Sequence, residues 1–417
     1  MCSDLVRVRN TCRCCGSPAI ELSVPLARVP IVSPNVDVTD KSVVTTVAPL
    51  DTYLCRDCGL IQLVHVVDPA LIYRNYLYRT AISKGLAEHF GGLCEATVAR
   101  LGLKADSLVA EFGSNDGTLL GFFRDKGMRV QGVDPAGVIA QEATARGIPT
   151  RADFFGERLA GELADSIGQA ELILSNNVMA NIDGLDDVMR GVKRLLSPGG
   201  AYVFETQYAL DVFEGTLLDV IYHEHISCFS VKPVAQAFAR FGLEVFDAER
   251  IATKGGSIRF WIQHRGGPRA LAPRVAELIA LEQATGLYDP AYHRRFSERV
   301  RDIKSRLHAQ IAAARATGRP VAAYGTSVGC AALIHQFELE DKLDFMLDDT
   351  PFKRRIEGPG YDLPVHTGEA VAARDPALVV ILAWRYAQPI VAKQGEYLAR
   401  GGAFLVPLPD IRLIRQG

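Results

Sequence analysis

From Ser107 to Thr206 the chain alternates short apolar runs with amphipathic stretches, and this alternation restricts the fold more than any other feature. The runs Leu108–Phe112, Arg129–Val133, Leu172–Ser175 and Ala201–Thr206 predict strands. Between them, Thr118–Lys126, Gly137–Arg146 and Leu185–Leu196 predict helices, the last stopped by Ser197-Pro-Gly-Gly. Strands apolar on both faces and separated by helices imply a parallel sheet covered on both sides. Helix Pro233–Phe241 follows, then two strands near Glu244–Arg250 and Ser257–Gln263 with no helix between them, so that pair is expected to be antiparallel.

A chain of 417 residues is too long for one core. Three units are expected: 1–68, poor in helical periodicity and dense in Cys, Pro, Val and Thr; 69–267, carrying the alternation; and 268–417, a helical linker from about Leu271 to Ala316 followed by a second α/β alternation. Gly266-Gly267-Pro268 marks the second boundary. The segment Pro69 to Leu101 reads as helical. In the last unit strands are expected near Val321–Tyr324, Leu343–Leu347, Leu378–Leu382 and Phe404–Val406.

A net charge of -2 argues against a protein that wraps nucleic acid or lies on an acidic membrane. No apolar run approaches the roughly 18–20 residues of a membrane span, and no signal pattern opens the sequence. The cytosol is the expected compartment, with reduced cysteines, and the chain is expected to be a monomer or weak homo-oligomer.

Cys12-x-x-Cys15-Gly16 and Cys55-x-x-Cys58-Gly59 are matched hooks. A two-residue gap lets both sulfurs face one ion, and the trailing glycine can turn backbone amides toward them. Four thiolates suit tetrahedral zinc in a closed, structural site. Cys14 is the spare, because only Cys12 and Cys15 reproduce the spacing and glycine of the second hook.

Glu111-Phe-Gly113-Ser-Asn115-Asp116-Gly117 follows a strand and opens a helix. A dinucleotide site would place pyrophosphate at that helix start. Asp116 puts negative charge there instead, which disfavours NAD and suits S-adenosylmethionine, a ligand with an ammonium, a sulfonium and no phosphate. Asp134, at the end of the next strand, is placed to accept ribose hydroxyls. Asp153 and Phe155 follow the third strand position and are placed to bracket adenine, and Asn176-Asn177, ending the fourth strand, to hold the amino acid end. The antiparallel edge also fits a class I methyltransferase sheet better than a plain dinucleotide-binding one.

Glu-Phe-Gly-Ser-Asn-Asp-Gly-Thr-Leu at 111–119 resembles the signature of three-domain, zinc-containing sugar C-methyltransferases. So do Tyr222-His223-Glu224-His225 with Ser227 and Phe229-Ser230, Gly255-Gly256-Ser257-Ile-Arg259, the cysteine hooks, and Tyr73, Tyr76 and Tyr78. The resemblance covers essentially the whole chain. It implies methylation of a ring carbon of a dTDP-linked deoxysugar. Its nearest branch makes D-tetronitrose, implying attack at C-3′ of a dTDP-3-amino-2,3,6-trideoxy-4-keto-D-glucose. Three positions depart from the family pattern: Asn181 and Lys254 stand where histidine is usual, and Val328 where lysine is common.

Carbon methylation needs an enolate, hence a base, a partner for the enolate oxygen and tight alignment. His225 is the expected base, because imidazole is largely neutral at physiological pH. Tyr222, on the same face if the segment is helical, is expected to hold the oxygen. Glu224 is expected to orient the base or bind the substrate amine, and Tyr76 to close the pocket. A polar surface turn is the plain alternative for the His-Glu-His segment. In the last unit, the turn Tyr324-Gly325-Thr326-Ser327, the basic stretch Lys353-Arg354-Arg355, and Trp384-Arg385-Tyr386 are expected to bind the thymidine and diphosphate. The rival readings are another ring carbon or a heteroatom as acceptor, an NAD-dependent oxidoreductase, and a zinc-ribbon adaptor.

Overall fold

The structure is a computed structural model. It describes residues 5–31, 46–74, 76, 78–82, 85–350, 355–358 and 361–416, with 82 and 355–358 described by backbone only. Lys353 and Arg354, and the side chain of Arg355, lie outside the described residues.

The middle of the chain forms a seven-stranded sheet. Its strands are β1 (Leu108–Phe112), β2 (Arg129–Val133), β3 (Thr150–Arg151), β4 (Ala170–Asn176), β5 (Leu196–Gln207), β6 (Leu243–Ile251) and β7 (Ser257–His264). Their order is β3-β2-β1-β4-β5-β7-β6. The first five run parallel, and β7 pairs antiparallel with both β5 and β6, as the missing helix predicts. Every residue of β1 is buried, which is why it reads as a continuous apolar run broken only by Glu111. The chain leaves β3 and returns on the far side of β1 as β4. That reversal opens a crevice at the C-terminal ends of β1 and β4, where α/β sheets bind ligands.

Some boundaries differ from expectation. Helix Leu185–Leu195 passes directly into β5 at Leu196, so Ser197-Pro-Gly-Gly lies at the start of the strand; Leu196 already pairs with Ala170 of β4. The segment from Pro69 to Leu101 holds two α-helices, Pro69–Tyr73 and Leu86–Leu101, with a 3-10 turn at Thr80–Ile82 between them. The chain between is held by side chains of the glycine loop, as described below. The helical linker also divides, into Pro273–Ala284 and Pro290–Arg315, where Gly286 takes φ 81 and Asp289 caps the second helix through the amide of Ala291 (2.8 Å).

The N-terminal unit contributes a four-stranded sheet in the order Ser227–Cys228, Ile61–Leu63, Thr52–Cys55, Ile20–Val24. The first of these strands comes from the middle of the chain, so the two units share a sheet. Ser227 pairs with Gln62, Cys228 with Ile61, and the Leu63 amide donates to Ile226 (2.9 Å). One apolar core runs from Cys12 and Leu63 through Ile226 and Phe229 to Phe204.

The last unit is a second seven-stranded sheet: β8 (Val321–Tyr324), β9 (Phe345–Leu347), β10 (Arg355–Gly358), β11 (Tyr361–His366), β12 (Leu378–Ile381), β13 (Phe404–Val406) and β14 (Arg412–Ile414), ordered β10-β11-β9-β8-β12-β13-β14. Sequence reading does not find β10, β11 or β14. The alternation in β11 is interrupted by Pro364, and β14 is a largely exposed edge. Helix Val328–Gln336 packs on the short helical turn Leu218–Val220, so this unit closes one side of the middle domain.

Candidate functional site

The two cysteine hooks converge. The Sγ atoms of Cys12, Cys15, Cys55 and Cys58 all lie within 4.8 Å of one another. Cys12 and Cys58 are 3.5 Å apart, and Cys15 and Cys55 3.6 Å. Zinc–sulfur bonds of about 2.3 Å in tetrahedral geometry need sulfurs roughly 3.8 Å apart, so the set fits zinc closely. Each hook closes on its trailing glycine: Gly16 donates to Cys12 O and Gly59 to Cys55 O (both 2.9 Å), with φ 76 and 89. Cys14 is buried and outside the set.

Between Cys12 and Cys14, Arg13 turns inward and is 2% exposed. Its Nη1 donates to the carbonyls of Leu63 (2.6 Å) and Ile226 (3.1 Å) and to Gln62 Oε1 (3.3 Å), and its Nε to Asp183 Oδ1 (2.8 Å). The metal hook is thereby tied to residues adjoining His225 and to the loop that follows β4. Nothing in the sequence separates Arg13 from a surface arginine.

At the crevice, Gly113 adopts φ 68, and a Cβ there would stand 2.2 Å from the Val178 side chain, so only glycine fits. Asp134 Oδ2 accepts from the Asn115 amide (2.8 Å) and Oδ1 from Ala136 (2.9 Å). Asn115 and Asp116 turn toward the segment before helix Leu86–Leu101. Asn115 Oδ1 accepts from the Thr80 amide (2.9 Å), its Nδ2 donates to Tyr78 O (3.0 Å), and Asp116 Oδ2 accepts from Ala81 (3.0 Å). These bonds fold residues 78–81 across the glycine loop. Asp116 Oδ1 also accepts from the amide and hydroxyl of Thr118, capping the next helix.

Asp153 sits at the rim, ion-paired to Arg158 (2.6 Å). Phe155 stacks face to face on Phe112, centroids 4.4 Å apart, which leaves Phe154, 37% exposed, as the more open ring of the pair. Asn177 takes φ 59 and its amide donates to Glu205 O (2.8 Å).

Two further residues stand out. Glu111 is buried, and its Oε2 lacks a hydrogen-bond partner. Burial, then the nearby charges of Asp134 and Asp116, push its carboxyl well above the usual range. Asn176, at the end of β4, is buried with both amide atoms unsatisfied. Burying polar groups without partners costs about 1–3 kcal/mol each, so such groups mark where a ligand completes the bonding. Three acids and a free amide around a positive-φ glycine fit a cationic amino acid moiety and reject a diphosphate. Glu111 is legible in hindsight as the one charge in an otherwise apolar strand, and Asn176 is legible as the partner of Asn177 at the end of the fourth strand.

The second cluster lies beyond the end of β5. Residues 222–226 are non-helical turns, not the helix considered above, yet Tyr222 and His225 meet, with rings 4.1 Å apart. His225 Nδ1 is 2.7 Å from the Val220 carbonyl oxygen, which assigns the proton to Nδ1. Nε2 is then the acceptor, facing the Tyr222 hydroxyl at 3.0 Å and the Gln207 amide at 3.3 Å. Burial pushes the imidazole down to about 3, so it is neutral at any working pH. Tyr76 donates to Glu224 Oε2 (3.2 Å), and burial beside that carboxylate holds the Tyr76 hydroxyl well above its usual range. Tyr73 reaches the Glu224 carbonyl at 3.5 Å. Asn181, the last residue of the short helical turn Met179–Asn181 after β4, is a partner of Tyr73.

The C-terminal unit meets this cluster through Arg385, whose guanidinium pairs with Asp219 and stacks on Trp384 (4.4 Å). Gly329 lies against Asp219, where a Cβ would come within 2.3 Å of the backbone oxygen. In the turn after β8, Asp348 accepts from both the amide and the hydroxyl of Thr326, and Ser327 caps the Cys330 amide. Those donors, expected to cradle phosphate, are already in use.

A parallel sheet in this order, with an acid-lined crevice where phosphate would otherwise sit, defines a class I S-adenosylmethionine-dependent methyltransferase. Residues 86–248 match the family described as "Methyltransferase domain", residues 252–409 "C-methyltransferase C-terminal domain", and residues 12–73 "Putative zinc binding domain". The chain is 32% identical to the C-methyltransferase NovU of Streptomyces niveus over 412 residues, 99% of this chain and 98% of NovU. Among solved structures, an S-adenosylmethionine-dependent methyltransferase from Clostridium acetobutylicum aligns with 45% of this chain and 94% of its own, at 13% identity and TM-score 0.35. One from Anabaena variabilis aligns with 41% and 84%, at 17% and 0.33. The chain belongs to the C-methyltransferase family of NovU, and is a zinc-carrying, S-adenosylmethionine-dependent C-methyltransferase. Among the described residues no helix is long and apolar enough to cross a membrane.

Proposed function

We propose that the protein methylates C-3′ of a dTDP-linked 3-amino-4-keto-2,3,6-trideoxysugar through an enolate, with His225 as the general base. The observation that carries this reading is the Tyr222–His225 contact: a neutral imidazole with its protonated nitrogen anchored on a carbonyl and its lone pair accepting from the Tyr222 hydroxyl. A heteroatom acceptor such as an amine brings its own lone pair and has little need of such a base; a carbon acid does. The proton leaves C-3′ for the Tyr222–His225 pair, with His225 as the final acceptor. S-adenosylmethionine supplies an electrophilic methyl; Glu111, Asn176 and Asp134, with Gly113 and Asn177, are the groups assigned to hold it. Asp116 and Asn115 act on it through the 78–81 segment, and Asp153 and Phe155 border the adenine end. Glu224 and Tyr76 are assigned to the sugar amine.

The nucleotide is assigned to the C-terminal unit. Trp384 has an unpartnered indole N–H, and Tyr386 is 63% exposed, both beside Arg385. The unit boundaries proposed are 1–68, 69–267 and 268–417, with Ser227–Cys228 crossing the first.

The test is His225→Asn with a dTDP-linked ketosugar. Turnover is expected to fall by roughly 100-fold or more, with S-adenosylhomocysteine affinity within about threefold. Exchange of the C-3′ proton into deuterium, where wild type shows it without methyl transfer, is expected to stop. Unchanged turnover removes His225 as the base.

A further inference from the structure

Lys254 occupies the turn between β6 and β7 with φ 54 and ψ 23, a left-handed conformation that costs a non-glycine residue roughly 1–3 kcal/mol. The turn adjoins the catalytic cluster through the strand it opens and through Arg385. β7 begins at Ser257, paired with Gln207, whose amide touches His225. Gly255 lies against Arg385, where a Cβ would stand 2.8 Å from Nε.

The groups acting on the Lys254 ammonium come from every side of that cluster: Glu205 from β5, Glu224 from the catalytic segment and Arg385 from the C-terminal unit, while Lys254 in turn acts on His225. Each of these has partners of its own. Glu205 accepts from His89 (2.7 Å) and Arg259 (2.7 Å), Glu224 from Tyr76, and Arg385 is paired with Asp219. Among the described residues Lys254 makes neither a hydrogen bond nor an ion pair. Its side chain is exposed, and desolvation brings its ammonium down to about 8.

The cluster also has a vacancy in function. Tyr222 was the natural donor to the enolate oxygen, but its hydroxyl is committed to His225. A base held at low basicity needs strong stabilisation of the carbanion it makes, because the proton transfer is otherwise uphill.

Building on the C-methylation reading, we propose that Lys254 is a catalytic residue that donates a hydrogen bond to the C-4′ keto oxygen and carries the charge of the enolate. As the C-3′–H bond breaks, its proton goes to the Tyr222–His225 pair. Its electron pair forms the C-3′–C-4′ double bond, and the carbonyl pair moves to oxygen beside the ammonium. When C-3′ takes the methyl, the pair of the C-3′–C-4′ double bond forms the new C–C bond, the pair on oxygen restores the carbonyl, and the S–CH3 pair stays on sulfur. Lys254 keeps its proton throughout.

The experiment is steady-state kinetics of Lys254→Met and Lys254→Arg with the ketosugar nucleotide, together with deuterium exchange at C-3′ and thermal melting. Lys254→Met is expected to lose about 100-fold or more in kcat with KM within roughly threefold, to stop the exchange, and to keep its melting temperature. Lys254→Gln replaces it should the methionine variant not fold. Wild-type kcat is expected to decline above pH about 8. Lys254→Arg is expected to recover part of the rate and abolish that decline, since only position 254 has changed and guanidinium stays charged. A raised KM with unchanged kcat would assign Lys254 to the diphosphate and overturn the proposal, as would unchanged kinetics. The position of the methyl in the wild-type product reports on C-methylation separately.

Discussion

Arg13→Met asks whether the zinc unit positions the base or merely decorates the enzyme. Methionine fills similar volume but donates nothing. Three neutral acceptors lose a bond from the guanidinium: Leu63 O, Ile226 O, which keeps the Leu63 amide, and Gln62 Oε1, which keeps the backbone amide of residue 13. At about 1 kcal/mol for each net hydrogen bond, the loss is roughly 3 kcal/mol. Asp183 is not orphaned, because Arg7 and Arg9 (3.2 Å) still reach it, so the larger penalty of an unpaired buried charge does not apply. Ile226 adjoins His225, and with the guanidinium gone its carbonyl is held by the Leu63 amide alone, which loosens the segment that sets the base. Urea unfolding is therefore expected to show a loss of about 3 kcal/mol. At a denaturant-free temperature where the variant is folded, kcat is expected to fall about tenfold or more, with S-adenosylhomocysteine affinity by calorimetry within about threefold. Arg13→Lys, which keeps charge but not the fork, should fall between. Wild-type kcat in a variant that is measurably less stable would refute the coupling.

Chelation of zinc removes the ion around which both hooks close. Activity and the far-ultraviolet signal of the N-terminal sheet are expected to fall together, because that sheet includes Ser227–Cys228; restored zinc should recover both. Acid should weaken the fold in a defined window. Burial holds His225 at about 3 and His223 at about 4, against 6.5 for the unperturbed group. Unfolded imidazoles thus bind protons that the folded ones refuse, so this stability is fully present above pH 6.5 and drains away as pH falls toward 4 and 3. Melting temperature measured across that range is expected to drop less in His223→Gln, relative to its own neutral-pH value, than in wild type.

What could be read in the sequence follows from how local each signal is. The parallel strands, the antiparallel edge and the cysteine hooks depend on spacing within a few residues, and the glycine loop on backbone conformations only glycine takes. The sharing of a sheet between Ile61–Leu63 and Ser227–Cys228 depends on pairing residues far apart in the chain, with a strand of two residues that carries no periodicity. Arg13 is invisible for the same reason, looking like any surface arginine, and Lys254 stands out in the sequence only as a departure from the family's histidine. Residues 78–81 were read as helix because composition does not reveal that Asn115 and Asp116 capture their backbone.

The central claim is transfer of a methyl to carbon. Incubating the enzyme with S-adenosylmethionine carrying a 13C methyl and the dTDP-linked 3-amino-4-keto-trideoxysugar, then recording the carbon spectrum of the product, tests it directly. The account predicts one new methyl resonance coupled to a quaternary C-3′. A methyl bonded to nitrogen or oxygen would contradict it.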